Sequence, residues 1–158
     1  MRILIQRVKS ASVEIDKKIT AKIGSGLLVF VGICNDDGEN DIEYLTSKLV
    51  NLRVFDDENG VMNLSAKDIN GEILVVSQFT LYAQTKKGNR PSYILAAKPE
   101  ISVPLYEKFC DETAQKLGKN IQTGTFGADM KIELINDGPV TIWIDSKENI
   151  KKHADDTD

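Results

Sequence analysis

The run Leu27-Leu28-Val29-Phe30-Val31 constrains this chain most, because successive apolar residues leave neither face of a strand for water. Gly24-Ser25-Gly26 breaks the chain before it and the turn-rich Cys34-Asn35-Asp36-Asp37-Gly38 breaks it after. Even extended to Ile33, the run is much too short to span a membrane. It predicts an inner strand of a sheet, and the rest of the chain has to cover both sides.

Upstream, residues 2–8 alternate, as do Ala11, Val13 and Ile15 with their polar neighbours; these read as two strands. Asp16-Lys17-Lys18 turns into a third strand over residues 19–23, giving an antiparallel opening. Downstream, Ile42, Leu45, Leu49 and Leu52 recur at helical steps, with Glu39, Asp41 and Glu43 near the start, where the helix dipole favours negative charge. Asp56-Asp57-Glu58-Asn59-Gly60 is a tight loop, and Asn70-Gly71 signals a turn before a strand over 72–81. Ser77-Gln78-Phe79-Thr80 then lies at that strand's C-terminal end. A long polar loop, residues 84–91, leads to a second helix in which Leu105, Phe109 and Leu117 share a face and Gly118 stops the pattern. Strands follow at 121–123, 131–135 and 140–144, separated by Gly124-Thr125-Phe126-Gly127 and by Asn136-Asp137-Gly138-Pro139. Residues 146–158 read as a frayed polar tail.

At 158 residues the chain has the size of one domain. Its net charge of −4, from 20 basic against 24 acidic residues, argues against broad phosphate-backbone binding, so any nucleic-acid partner has to be gripped locally. Lys86, Lys87 and Arg90 are the one local basic cluster: a solvated loop by default, a clamp for a few phosphates at a nucleic-acid end in the functional reading. The N-terminus lacks a signal-peptide core, which predicts a cytoplasmic protein. Cys34 and Cys110 are far apart and read as reduced thiols. The single histidine, His153, lies in the tail, so neither a histidine triad nor a His-x-x-x-His metal site can be assembled from one chain, and neither metal nor cofactor is expected. Asp56, Asp57 and Glu58 are explained by solvation in their turn. Gly124-Thr125-Phe126-Gly127 lacks the Gly-Lys-Ser/Thr ending of a nucleotide P-loop, though a glycine pair around an aromatic residue lets a ligand approach the backbone. Met130, just beyond, is by type more often core than contact. Gly138-Pro139 reads from spacing alone as a plain turn.

Taken together, Gln6-Arg7-Val8 with Ala11-Ser12-Val13, Ser77-Gln78-Phe79-Thr80-Leu81, Gly88-Asn89-Arg90-Pro91-Ser92 and Asn136-Asp137-Gly138-Pro139-Val140-Thr141 resemble the D-aminoacyl-tRNA deacylase family, over about residues 1–145. The resemblance implies an α+β fold, with a mixed, largely antiparallel, barrel-like core packed with two main helices, and a single domain over 1–145. It also implies a homodimer with two shared sites, in which the peptide before Pro139 is cis and Gly138-Pro139 of one subunit reaches into the partner's site as a chirality filter. Ser77, Gln78, Phe79 and Thr80 would line the pocket for the ester and the terminal adenosine of an aminoacyl-tRNA. Arg7 would help hold the Gly-Pro unit across the interface, and Phe126, Gly127, Ala128, Met130, Lys86, Lys87 and Arg90 would contact substrate. The family uses the 2′-hydroxyl of the terminal adenosine to assist the water, with backbone amides near Phe79 and Thr80 available for the oxyanion. Such a filter reads what all D-amino acids share, rejects L side chains by collision, and should admit glycine on tRNA(Ala). Two other readings compete: Thr80 as a covalent nucleophile, and a non-catalytic nucleic-acid binding module built on Lys86, Lys87 and Arg90.

Overall fold

Residues 1–148 are described by the computed structural model. The chain order is β1 (Arg2–Ile15), β2 (Lys18–Ile23), β3 (Gly26–Gly32), α1 (Glu39–Asn51), β4 (Phe55–Asp56), β5 (Met62–Leu64), β6 (Glu72–Ser77), a 3-10 turn (Phe79–Tyr82), α2 (Pro99–Leu117), β7 (Gln122–Thr123) and β8 (Lys131–Asp145). The buried run is β3, and it sits inside the sheet as its composition requires, antiparallel to β1 and parallel to β6. Beyond it, β6 pairs parallel with β7, so the sheet is mixed.

Each face of β3 feeds a different core. Leu27, Val29 and Val31 join Ile73 and Val75 of β6 under the helices, where Ile42, Leu45 and Leu49 of α1 and Phe109 of α2 cover them. Leu28 points the other way, with Leu74 and Val76, into a second core closed by Val8, Ala11, Val13, Ala21 and Ile23. That second core is the interior of a nearly closed, barrel-like sheet, in which β2 curls across to β6 and β7. Alternation along β3 therefore serves two cores at once, the physical reason no position in it is polar.

The opening expected as two strands is one continuous β1. Its residues 2–8 pair with β3 and 11–15 with β2, while β8 runs along the other edge. Register irregularities against β8 at Val8 shift the alternation, so Ile3 and Ile5 face the helical core whereas Val8, Ala11 and Val13 face the barrel. Likewise the break expected at 136–139 is not a strand end: β8 continues through it. In contrast, the strand expected over 72–81 stops at Ser77, because β3 ends at Gly32 and leaves nothing for residue 78 onward to pair with.

The helices follow their sequence signals. Asp41 Oδ2 accepts the Gly38 N–H at the start of α1 (2.9 Å). Gly118 ends α2 in the left-handed region (φ +83°), with its N–H on Ala114 O. The tail begins differently from expectation: Ser146 is fully buried, accepts the Met1 amino group on Oγ (2.9 Å) and donates to Asp41 Oδ1 (2.6 Å). Lys147 Nζ meets both Asp41 carboxylate oxygens. The remainder of the expected tail, 149–158 with His153, lies outside the described residues.

Candidate active site

Where β6 runs out of partner, the Gln78 N–H donates to Val31 O (2.7 Å) and the chain tightens into the 3-10 turn, with Leu81 N–H on Gln78 O and Ala83 N–H on Thr80 O. Gly32 permits this: a Cβ there would stand 2.9 Å from Leu81 Cβ and 3.1 Å from Gln78 O, so only glycine lets the turn lie on the end of β3. Phe79 and Thr80 open the turn, and the first N–H groups of a helical turn have no acceptor inside it. Thr80 Oγ1 accepts from Gln78 Nε2, which fixes both side chains. The turn's far end is clamped by Arg2, whose Nη1 donates to Leu81 O (2.9 Å) and whose Nε donates to Asp145 (3.0 Å). Its guanidinium lies 4.4 Å from the centre of the Tyr82 ring.

A cavity of about 570 Å³ opens beside this turn. One wall is Ser77, Gln78 and Phe79; a second is Phe126, Gly127, Ala128 and Met130; a third is Ala97, Lys98 and Ser102 at the start of α2. Separate sequence segments thus converge, and Ser77, Gln78, Phe79, Phe126, Gly127, Ala128 and Met130 from the sequence reading line one cavity. The second wall is held by the sheet, since Gly124 N–H donates to Val75 O (2.9 Å) and the Phe126 ring rests 5.9 Å from that of Tyr106, whose hydroxyl donates to Val75 O. Burial pushes the Tyr106 phenol well above its ordinary range, so it stays protonated. Met130 is both wall and core, packing against the barrel interior as its residue type suggests.

The remaining candidates lie elsewhere. Thr80 borders the cavity without lining it. Lys86, Lys87 and Arg90 are exposed on a loop whose base is pinned by paired hydrogen bonds between Gln84 and Ser92, and none of the three lines the cavity. Gly138 and Pro139 are also outside the lining. They sit in a bulge of β8, since Thr141 pairs with Gln6 but the next paired residue, Asn136, meets Val8. The Gly138-Pro139 peptide is cis, unlike the plain turn that spacing suggests. The bulge is held from within its own chain. Asn136 Oδ1 accepts the Val140 N–H (2.8 Å), Arg7 Nε donates to Asp137 O (2.7 Å), and Arg7 Nη1 donates to Val54 O (2.6 Å). Within this chain Arg7, expected to help hold the Gly-Pro unit across an interface, bonds to the carbonyl that precedes that unit.

Sequence reasoning missed Arg2, Tyr93, Lys98 and Asp129, the last three of which line the cavity. Lys98-Pro99 was readable as a helix start, but nothing in the sequence brings that start beside residue 77. The chemistry of the walls is sparse. Among the described residues their charged side chains are Lys98 and Asp129, and Asp129 is paired with Lys131 (3.0 Å).

The fold and cavity place the chain first in a structural class. A solved structure called c-Myc DNA Unwinding Element Binding Protein superposes with a TM-score of 0.87 at 39% identity, over 92% of this chain and 98% of that one. A structure described as a probable eukaryotic D-amino acid tRNA deacylase shares the fold, with a TM-score of 0.78 at 17% identity, over 90% of this chain and 97% of that one. The sequence then fixes the family: the D-Tyr-tRNA(Tyr) deacylase model matches residues 4–145, and the chain belongs to that family, hydrolases acting on the ester bond of D-aminoacyl-tRNA. Its relatives include D-aminoacyl-tRNA deacylases of Flavobacterium psychrophilum, 66% identical, and Bacteroides thetaiotaomicron, 65% identical, each over 93% of this chain and 98% of the relative.

Proposed function

We propose that the chain clears D-amino acids from tRNA in the cavity beside residues 77–79, and that a second copy completes each site by inserting its Gly138-Pro139 loop. The observation that carries this is a separation within one chain: the cavity takes no wall from the loop, while the loop is exposed yet held at both ends by Arg7 and Asn136. A rigid, exposed loop is shaped for something outside its own chain. The outward face of β8 on either side of it carries Ile135 and Trp143, 57% and 44% exposed, apolar area suited to a second protomer.

In this reading the ester carbonyl lies over the start of the 3-10 turn, and the N–H groups of Phe79 and Thr80 meet the developing oxyanion. A water oxygen bonds to the carbonyl carbon, the bond to the ribose oxygen breaks, and that oxygen takes a proton, releasing the amino acid and tRNA. Among the described residues the cavity walls carry no histidine and no carboxylate outside an ion pair, which supports assistance to the water from the 2′-hydroxyl of the terminal adenosine. Backbone carbonyls of the partner's loop capture the α-amino group, and an L side chain collides with the same backbone. Achiral glycine meets no such obstacle, so glycyl-tRNA(Ala) is a substrate as well. Lys86, Lys87 and Arg90 take phosphates further along the tRNA, and the enzyme works in the cytoplasm, where charged tRNA is used.

The test compares ester loss from D- and L-tyrosyl-tRNA, for the natural chain and for Gly138→Ala. At Gly138 the backbone has φ +151°, and a Cβ would lie 2.8 Å from Val140 N and 3.2 Å from Arg7 Nη2, so the loop has to move. The expected result is D-selective hydrolysis that drops at least about tenfold in kcat/KM on substitution. Equal loss of D and L esters, or full activity in the variant, would refute the filter. Activity should also survive a chelator, since no spacing of metal ligands is present in the sequence.

Thr80 as a covalent nucleophile is disfavoured by the hydrogen bond that ties its Oγ1 to Gln78 Nε2. The DNA element in the name of one structural relative belongs to that protein. On this chain a net charge of −4 disfavours a duplex-binding role.

A further inference from the structure

Resting on the deacylase reading of the cavity, we propose that its third wall binds the nucleotide preceding the terminal adenosine: Lys98 takes the phosphate joining the two, and Tyr93 stacks on the base. An adenosine esterified inside the cavity has its 5′ side attached to a phosphodiester, which has to leave through the mouth carrying a negative charge. The wall offers one place for that charge. Of the two charged side chains lining the cavity, Asp129 is ion-paired with Lys131, whereas Lys98 is exposed and pairs with no carboxylate among the described residues. On a chain of net charge −4, an unneutralised lysine at the rim of the site is where a phosphate is attracted in preference to the surrounding surface.

The stacking surface is equally local. Tyr93 lines the same cavity and is 41% exposed. Its ring meets Phe79 edge to face, 5.0 Å between centres at 78°, an arrangement that braces the ring from the active-site side and leaves apolar ring surface open to solvent. An exposed aromatic beside a cation is the pairing by which proteins hold single-stranded nucleic acid without reading its sequence. Both residues sit on one short pinned segment: Ala96 N–H donates to Tyr93 O (3.0 Å) and Ala97 N–H to Ile33 O (2.9 Å). Base and phosphate therefore meet a preformed surface. The bland alternative is a solvated lysine beside a tyrosine that only covers Phe79.

Two synthetic esters separate these readings, D-tyrosyl-adenosine and the D-tyrosyl ester of the dinucleotide CpA, which differ by one phosphodiester and one nucleoside. The natural chain should show kcat/KM about tenfold higher on the dinucleotide ester. Lys98→Ala and Tyr93→Leu should each shrink that advantage at least about threefold, and Lys98→Arg should keep it. Salt should erode the advantage with a log–log slope near −0.7, as for one single-strand phosphate contact, and this slope should flatten in Lys98→Ala. Equal rates on the two esters in the natural chain, or an advantage that survives both substitutions, would overturn the proposal while leaving the deacylase reading standing. So would variants that slow both esters alike, since their ratio would not change. Failure to cleave either ester or D-tyrosyl-tRNA would remove both. Lys98 is exposed, so Lys98→Ala tests the phosphate contact even if Tyr93→Leu disturbs folding.

Discussion

Arg7 is only 9% exposed, and its guanidinium bridges Asp137 O and Val54 O while standing 3.6 Å from the Asp56 carboxylate. A planar fork can reach both carbonyls at once, whereas lysine is a single point charge. Arg7→Lys should leave one buried carbonyl unsatisfied and lower the urea unfolding free energy by about 1–3 kcal/mol. Gly32 acts by having no side chain. Gly32→Ala would press on Leu81 and on the Gln78 carbonyl, and a methyl forced into such a contact typically costs about 1–3 kcal/mol. Because that pressure falls on the turn carrying Phe79, D-tyrosyl-tRNA hydrolysis should fall at temperatures well below the lowered melting point. A variant that melts earlier but keeps its rate would show that the turn need not be held closely.

Among the elements, α1 is tied to the last residues described by Asp41. Burial by itself would raise this carboxyl, but hydrogen bonds from Ser146, Lys147 and the Gly38 N–H outweigh burial and hold it below its ordinary value of 3.8. A group whose pKa is lower in the folded than in the unfolded chain adds stability above the unfolded value, lost as pH falls through the folded one. The window is therefore acidic, below about pH 4. Lys147 responds at the opposite end. Burial would lower its pKa, but Asp41 and Asp37 hold it above the ordinary 10.5, so its contribution is complete below that value and is lost in strong alkali. The melting temperature should thus hold between about pH 5 and 9 and fall below about pH 4. Asp41→Asn should melt lower at neutral pH and lose part of the acid dependence, both readable from thermal melts.

For the whole molecule, the proposed exchange of Gly138-Pro139 between protomers makes a prediction that no single-chain property does. One variant, Gly138→Ala, spoils the loop it lends to its partner; another, Gln78→Ala, spoils its own cavity wall. Random pairing of two inactive variants yields half mixed dimers, each with one intact site of two, so remixing should restore about a quarter of the natural activity. Were each loop to serve its own chain, remixing would restore nothing. Sedimentation should show a dimer throughout.

Much of the fold was legible because hydrophobic period reports burial. The unbroken run in β3 required cover on both faces, and the spacing of Ile42, Leu45 and Leu49 required a helix to provide one of them. What period could not report was pairing. That β6 would stop at Ser77, that Val8 would shift the facing of β1, and that 136–139 would bulge inside one strand all depend on which neighbour each backbone finds. The site divides the same way. Residues 77–79 and Gly138-Pro139 stood out through a resemblance between motifs, whereas Arg2, Tyr93, Lys98 and Asp129 did not, because each is an ordinary residue until folding sets it beside the end of β6 or in the cavity there. Residue order and type were enough to say which segments had to be buried and what backbone the glycines and prolines allowed. Which segments meet was set by folding, because contact between residues remote in sequence is a property of packing and carries no local signature.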